Sequence, residues 1–241
     1  MLFWKSANWS QRLQDCPEFE GKGINGIKPR LDTLLVGHYP QALGLKTNFE
    51  NSGLVKPLPA MKILATEFSD LNLRPLTRKD SDALFRLTES NRHYLRRWLP
   101  WLDFTRTLAD TRNFVRGSIG RREAGLGLDY GVFLQSEIVG VITFNTLSRL
   151  HRNGTIGYWL AELYTRRGFM TASVRRLIDY GFGDLNLNRI EIRVAVGNQP
   201  SQAICDRLGL KQEGILRQAE WLYDHFVDLR VNSVLRSEWK G

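Results

Sequence analysis

The sequence predicts a mixed α/β domain built on a mostly antiparallel, seven-stranded sheet with helices on both faces. Helical periodicity holds over 77–123 and again over 168–182, while β-rich runs dominate 128–160 and 189–235. The two kinds of segment follow one another in the order βααβββαβαββ, which suits a single mixed sheet better than separate all-α and all-β layers. A content of 42% hydrophobic and 24% charged residues is that of a chain with a real core.

Each element has its own signal. From Met61, the segment MKILATEFSDLNLRPLTRKDSDALFRL is a short strand that runs into a helix, the strand being residues 72–76 (NLRPL), which Pro75 ends. Over 77–90, Leu84, Phe85 and Leu87 recur at helical spacing after acidic and hydroxyl starters. Residues 91–101 (NRHYLRRWLPW) read as a short helix stopped by Pro100, and 107–123 as an amphipathic helix with Leu108, Phe114, Val115 and Ile119 inward. The period then changes. Two strands, 128–134 and 138–147, flank a Gln-Ser-Glu hairpin, and 155–160 makes a third. A helix over 168–182 precedes RIEIRVAV at 189–196, whose strict alternation demands a strand with one charged face. A short helix over 200–208 and strands around 211–219 and 226–235 complete the chain.

Residues 1–60 are a different kind of sequence. They hold five of the eight prolines and six of the 21 glycines, and apolar patches such as LDTLLV at 31–36 are too short for an element. The expectation is a poorly structured N-terminal extension over 1–60 ahead of a folded domain over 61–241, with Met61 a candidate start. Cys16 and Cys205 stand 189 positions apart, which offers neither a disulfide framework nor a Cys-x-x-Cys metal spacing, so a reducing cytoplasm and no metal are expected. The opening apolar run, MLFW, is four residues long before Lys5, too short for a secretory signal. No stretch approaches the ~20 apolar residues of a membrane span.

The net charge is +9, from 34 Lys plus Arg against 25 acidic residues. Residues 61–241 carry 27 of the basic and 20 of the acidic side chains, so most of the excess belongs to the folded part. Such a surplus seeks phosphates or acidic partners. There is no Lys/Arg block of five or more, no zinc-finger spacing and no RRM signature, which argues against nucleic acid as the partner.

Three short segments carry chemistry. TRRGFMT at 165–171 joins a strand to a helix, where Gly168 lets backbone approach a ligand closely and the first helical amides point at it. Arg166 and Arg167 add charge-assisted donors for phosphate oxygens, and Thr171 can cap the helix or bond a phosphate. Alone, a glycine here also fits a routine turn. In GNQPSQAI, Asn198 ends a strand and Pro200 opens a helix, so Asn198 and Ser201 read first as caps. Glu220, in RQAEWLY, reads by itself as a solvent-facing strand residue.

IGYWLAELYTRRGFMTAS at 156–173, the stretch from Leu187 to Leu229, and NRHYLRRWLPWLD at 91–103 together resemble the RimJ/RimL branch of the GNAT superfamily of N-acetyltransferases, over residues 71–239. The resemblance implies the GNAT fold and acetyl-CoA as co-substrate. It implies that Arg166, Arg167, Gly168, Met170 and Thr171 hold the pyrophosphate, that the pantetheine arm borrows backbone groups of Trp159, Leu160 and Ala161, and that Asn198 bonds the same arm. Ser201 would present its hydroxyl to the thioester sulfur, and Glu220 would be the general base. Two positions depart from the superfamily signature Q/R-x-x-G-x-G/A: Thr165 stands where Gln or Arg is usual, and Met170 where a small residue is; Arg166 stands where the branch often carries glycine.

Tyr94, Trp98, Trp101, Trp221 and Tyr223 lie in the matching segments and would line an acceptor pocket opposite the cofactor, walled by the early helices and the last strands; aromatic core is the plainer alternative. Arg92, Arg96, Arg97, Arg149 and Arg152 would attract an acidic protein or form a solvated basic face. His93 and His225 would assist proton transfer or sit on the surface. The reaction implied is acetyl transfer to the N-terminal α-amine of a protein, a ribosomal protein included, by a monomer or homodimer. The rivals are a small amine, polyamine or antibiotic as acceptor, and a non-catalytic nucleic-acid-binding module. An α-amine has a reference pKa of ~7.7–8.0 against ~10.4 for lysine, so a modest base suffices for it.

Overall fold

Residues 62–241, the part of the chain that the computed structural model describes, are organised by an eight-stranded sheet. The extension expected over 1–60, and Met61, lie outside the described residues. The strands are β1 (Leu64–Ala65), β2 (Leu71–Pro75), β3 (Leu128–Leu134), β4 (Glu137–Ser148), β5 (Asn153–Leu160), β6 (Arg189–Ala195), β7 (Lys211–Leu222) and β8 (His225–Leu235). Their order is β1-β2-β3-β4-β5-β6-β8-β7. Every neighbouring pair is antiparallel except β5 and β6, which the helical crossover makes parallel. The strand beyond the seven expected is β1, two residues paired through Leu64 and Leu73, too short for any periodicity to betray.

Two helical layers enclose the sheet. On one face lie α1 (Ser81–Ser90) and α3 (Leu108–Glu123); on the other lie α4 (Phe169–Phe182) and α5 (Gln199–Arg207), above the larger core. Val174, Leu177 and Ile178 of α4 are fully buried against Ile142, Phe144 and Ile156 of the sheet. Each such side chain contributes about 1.5–3 kcal/mol by leaving water. The start of α3 is fixed by a reciprocal cap, in which the Asp110 amide donates to Thr107 Oγ1 at 3.2 Å and the Thr107 amide to Asp110 Oδ2 at 2.9 Å. The Thr107 hydroxyl also donates to Asp110 Oδ2 at 2.8 Å, and this bond above all holds the Asp110 carboxyl below its ordinary pKa.

In β6 the alternation is as the sequence demands. Ile190, Ile192 and Val194 are buried, while Arg189 and Arg193 both bind Glu191, at 2.9 and 2.6 Å, and Arg189 also binds Glu213 of β7 at 2.5 Å.

Two segments differ from expectation, each for a local reason. The helix expected over 91–101 is only α2 (Arg92–Arg96); Leu99, just before Pro100, is extended, and Pro100 opens a 3-10 turn, Pro100–Phe104. Proline disfavours helical backbone in the residue before it and costs nothing at a first helical position. Strand β7 continues to Leu222 through a bulge: Leu216 pairs with Leu229 and Glu220 with Val227, four steps against two. Gln218 takes φ 49° there, and its amide donates to Asp228 Oδ1 at 2.7 Å.

Candidate active site

The parallel pair at the centre of the sheet comes apart. Strand β5 pairs with β6 only from Asn153↔Arg189 to Ile156↔Ile192. Beyond that point β5 stays paired to β4, through Gly140↔Leu160, while β6 stays paired to β8, through Ala195↔Leu229. Backbone groups on the β6 side of residues 157–160 therefore have no strand partner. Trp159 and Leu160 lie beside this open edge; Ala161, which follows it, already donates its N–H to Val139 O at 2.9 Å and accepts from the Tyr164 amide at 3.0 Å, so of the three residues expected to lend backbone groups to an extended polar ligand, Ala161 has both engaged.

The open edge leads to the N-terminus of α4. Gly168 occupies the cap position at φ 83°, and no side chain caps the helix. The first helical bond is Ala172 N–H to Gly168 O, 3.0 Å, which leaves the amides of Phe169, Met170 and Thr171 without an intrahelical acceptor. Arg166 and Arg167 are exposed beside them, Arg166 itself at φ 62°. The Met170 side chain is buried in the core, so its backbone alone can meet a ligand. Thr171 Oγ1 accepts from Arg207 Nη1 at 2.5 Å. Arg207, at the end of α5, thus joins the basic rim, though nothing near it in sequence points to that loop.

Across the opening, Asn198 caps α5 through Oδ1, which accepts from the Ser201 amide at 3.3 Å. Its Nδ2 has no protein acceptor among the described residues. Ser201 Oγ lies 2.9 Å from the Tyr158 hydroxyl, which also reaches Ser201 O at 3.3 Å. Burial raises the Tyr158 hydroxyl well above its ordinary pKa and pushes the neighbouring Cys205 thiol up to about 11, so both stay protonated. The phenol at position 158 escaped the sequence reading because it sits in an otherwise apolar strand.

Glu220 is not the solvent-facing residue that its strand position implies. After the bulge, Glu220 and Leu222 share an inner face while Trp221 turns out, 51% exposed, its ring edge-on to Phe226 at 4.7 Å. Glu220 Oε1 is buried without a hydrogen-bond partner, and burial raises the carboxyl above its ordinary pKa.

Four of the five expected acceptor aromatics come together around the turn that Pro100 creates. Trp101 packs on Trp159 of β5, ring centroids 6.4 Å apart. Trp98 lies over the end of β6, where a Cβ on Gly197 would stand 3.1 Å from Trp98 Cη2. The Tyr223 hydroxyl donates to Leu99 O, tying the β7–β8 turn to the same segment, and Tyr94 packs beneath it. Trp221 is the exception, directed outward by the bulge. The cavity on this side is walled by α1, α3 and β3–β5 and not by the last strands.

The basic residues divide as well. Arg92 donates to Leu102 O and Thr105 O, each at 2.6 Å, and Arg96 pairs with Asp103 at 3.0 Å and covers the Tyr223 ring, so both brace the aromatic turn. Arg97 is exposed over Tyr94. Arg149 and Arg152 lie in the β4–β5 turn, at the other end of β5 from the opening, so the five do not form one face. His93 is exposed, and His225 bonds Asp224 at 2.6 Å on the β7–β8 turn. Among the described residues no three His, Cys, Asp or Glu side chains gather as a metal site, and no helix is long and apolar enough to cross a membrane.

The profile of the acetyltransferase (GNAT) domain matches residues 70–211. The chain belongs to the GNAT acetyltransferases. YdaF of Bacillus subtilis (strain 168) is 33% identical over 172 residues, 71% of this chain and 94% of that protein. The ribosomal-protein-serine acetyltransferase of Escherichia coli (strain K12) is 30% identical over 161 residues, 67% of this chain and 90% of its own. Among solved structures, RimL, the ribosomal L7/L12 alpha-N-protein acetyltransferase in complex with coenzyme A, aligns with a TM-score of 0.70 at 29% identity, over 72% of this chain and 98% of that one. This acetyltransferase is an acetyl-CoA-dependent enzyme. Its free strand edge and uncapped, arginine-flanked helix N-terminus fit an extended amide arm that ends in a pyrophosphate.

Proposed function

We propose that the acceptor is the N-terminal α-amine of a protein, a ribosomal protein among them, and that Glu220 is the general base. The observation that carries the chemistry is Glu220 itself: a buried carboxylate oxygen with no hydrogen-bond partner among the described residues, on the inner face of β7 just before the turn that braces the aromatic segment. A carboxylate of raised pKa accepts a proton more readily than an exposed one, and an α-amine needs only modest help. The acceptors named for the Escherichia coli relative and for RimL support the choice of a ribosomal protein.

Acetyl-CoA supplies the thioester whose acetyl carbon the amine attacks. In this reading the amides of Phe169, Met170 and Thr171, with Arg166 and Arg167, hold the phosphates, and Asn198 Nδ2 and the β5 edge hold the amide arm. A β5 N–H at the opening stabilises the oxyanion. Ser201 donates a hydrogen bond toward the departing sulfur, and the Tyr158 hydroxyl, bonded to Ser201 Oγ, holds it in place. Glu220 takes the amine proton directly or through one water. The test is a set of short peptides with free or blocked α-amines. Acetylation confined to free α-amines is expected; acetylation confined to lysine side chains or to polyamines overturns the acceptor.

A further inference from the structure

Between the sheet and helices α1 and α3 lies a cavity of about 70 Å³. Gly157, Tyr158 and Trp159 form one of its walls, and they belong to the stretch of β5 that has lost its β6 partner. Gly157, opposite Thr143 of β4, leaves bare backbone there; a Cβ would come within 2.5 Å of Asn145 Nδ2. The α4 N-terminus lies on the other face of the sheet. An extended arm anchored at α4 and threaded through the opening between β5 and β6 therefore ends on the α1–α3 face, beside this wall.

The lining says what the end of that arm can carry. The hydroxyls of Thr105, Thr111 and Thr143 are all buried without a hydrogen-bond partner; Thr105 and Thr111 are each only 2% exposed. They come from three separate segments, the end of the 3-10 turn, α3 and β4, and converge on one cavity. A buried donor or acceptor left unpaired is costly, so the three call for a polar occupant. Leu84, Leu99 and Val141 supply apolar wall beside them. At the back, the Asp129 side chain is 1% exposed and paired with Arg121, so the cavity offers no net charge. A carboxylate would meet Asp129 with Arg121 already engaged, whereas a short chain bearing a neutral hydroxyl finds both its apolar and its polar partners. The volume admits about five water-sized groups, more than the single methyl of an acetyl group fills.

We propose that this cavity is an acyl-chain subsite, and that the enzyme also uses a short hydroxyacyl thioester of the 3-hydroxybutyryl kind. The inference rests on the reading of the β5 edge as the seat of the thioester carbonyl. With the carbonyl oxygen on a β5 N–H, the chain beyond it enters the cavity and its hydroxyl meets Thr105, Thr111 and Thr143. The transfer keeps its form: a bond forms between the amine nitrogen and the acyl carbon, the carbon–sulfur bond breaks, the amine gives up one proton to the base, and coenzyme A leaves as the thiol after taking up one proton.

Titration calorimetry tests the subsite without any acceptor. The full chain and its Thr143→Val and Thr111→Val variants are titrated with acetyl-, butyryl-, 3-hydroxybutyryl- and succinyl-CoA. Valine keeps the threonine shape and removes an unpaired hydroxyl, so both variants should fold at least as stably. In the unaltered chain 3-hydroxybutyryl-CoA should bind about 3–10-fold more tightly than butyryl-CoA, the worth of one hydrogen bond, and succinyl-CoA more weakly than either. Each valine should pull the 3-hydroxybutyryl/butyryl ratio toward one. Peptides that accept acetyl should also take the heavier hydroxyacyl group, read by mass spectrometry. Equal affinity for the two four-carbon thioesters, a preference that survives both valines, or peptides that take acetyl alone overturns the subsite and leaves acetyl transfer intact. No saturable binding of any of the four thioesters overturns the reading of the β5 edge, and the subsite with it.

Discussion

Burial raises the Glu220 carboxyl above the 4.5 of an ordinary glutamate, so the acid limb of kcat/KM should lie above that value. Glu220→Gln should remove the limb and reduce kcat by about 10²–10⁴-fold, with coenzyme A affinity unchanged in titration calorimetry. The sign for stability is the opposite. A carboxylate whose folded pKa is raised weakens the fold as pH rises and it ionises, so Glu220→Gln should melt no lower than the unaltered chain at neutral pH. Tyr158→Phe removes the hydroxyl that holds Ser201 Oγ and should slow turnover by about 3–10-fold. Combined with Ser201→Ala the two effects should fall short of additive, because one pair carries both. Residue identities in the matching segments singled out Glu220, Ser201 and Asn198 in the sequence, and the structure places Ser201 and Asn198 together at the start of α5. The partner of Ser201 was not singled out, because a tyrosine one turn of the sheet away leaves no mark on the spacing around Ser201.

Local pattern predicts elements well wherever one face is buried and the other wet. The β6 alternation and the Gln-Ser turn fall where the sequence places them, since each is decided by neighbours within four residues. The bulge in β7 and the break before Pro100 depend on partners elsewhere in the chain, and both aim site residues. In the loop before α4, Gly168→Ala meets only ordinary contact, Phe68 at 3.4 Å, so its cost is the φ of 83°. That cost is about 1–2 kcal/mol and should lower the melting temperature by about 2–8 °C, together with weaker coenzyme A binding. In the ion-pair network at the edge of the sheet, Arg189 holds Glu213 down to about 2. A depressed carboxylate stabilises the fold above its unfolded pKa and loses that contribution as pH falls from about 4.5 to about 2. Glu213→Gln should therefore flatten the acid unfolding curve in that window, modestly, because Glu213 is 43% exposed and partly screened.

At the scale of the whole molecule, the parallel pair β5–β6 sits at the centre of an otherwise antiparallel sheet and divides it at the site. The α4–α5 side presents an uncapped helix N-terminus and an unpaired strand edge; the α1–α3 side presents aromatic walls and a polar cavity. The basic surplus of the chain has its clearest structural place at Arg166, Arg167 and Arg207 around the α4 N-terminus. A surface used for coenzyme phosphates should bind coenzyme A more weakly as salt is raised, and nucleic acid should compete poorly for it. The most direct measurement is incubation of the full chain with isotope-labelled acetyl-CoA and a cell lysate, followed by mass spectrometry of N-terminal peptides and of small amines. Label on the α-amines of a few proteins, ribosomal proteins among them, and its absence with Glu220→Gln, is the result expected. Label on small metabolites with none on protein N-termini would contradict it.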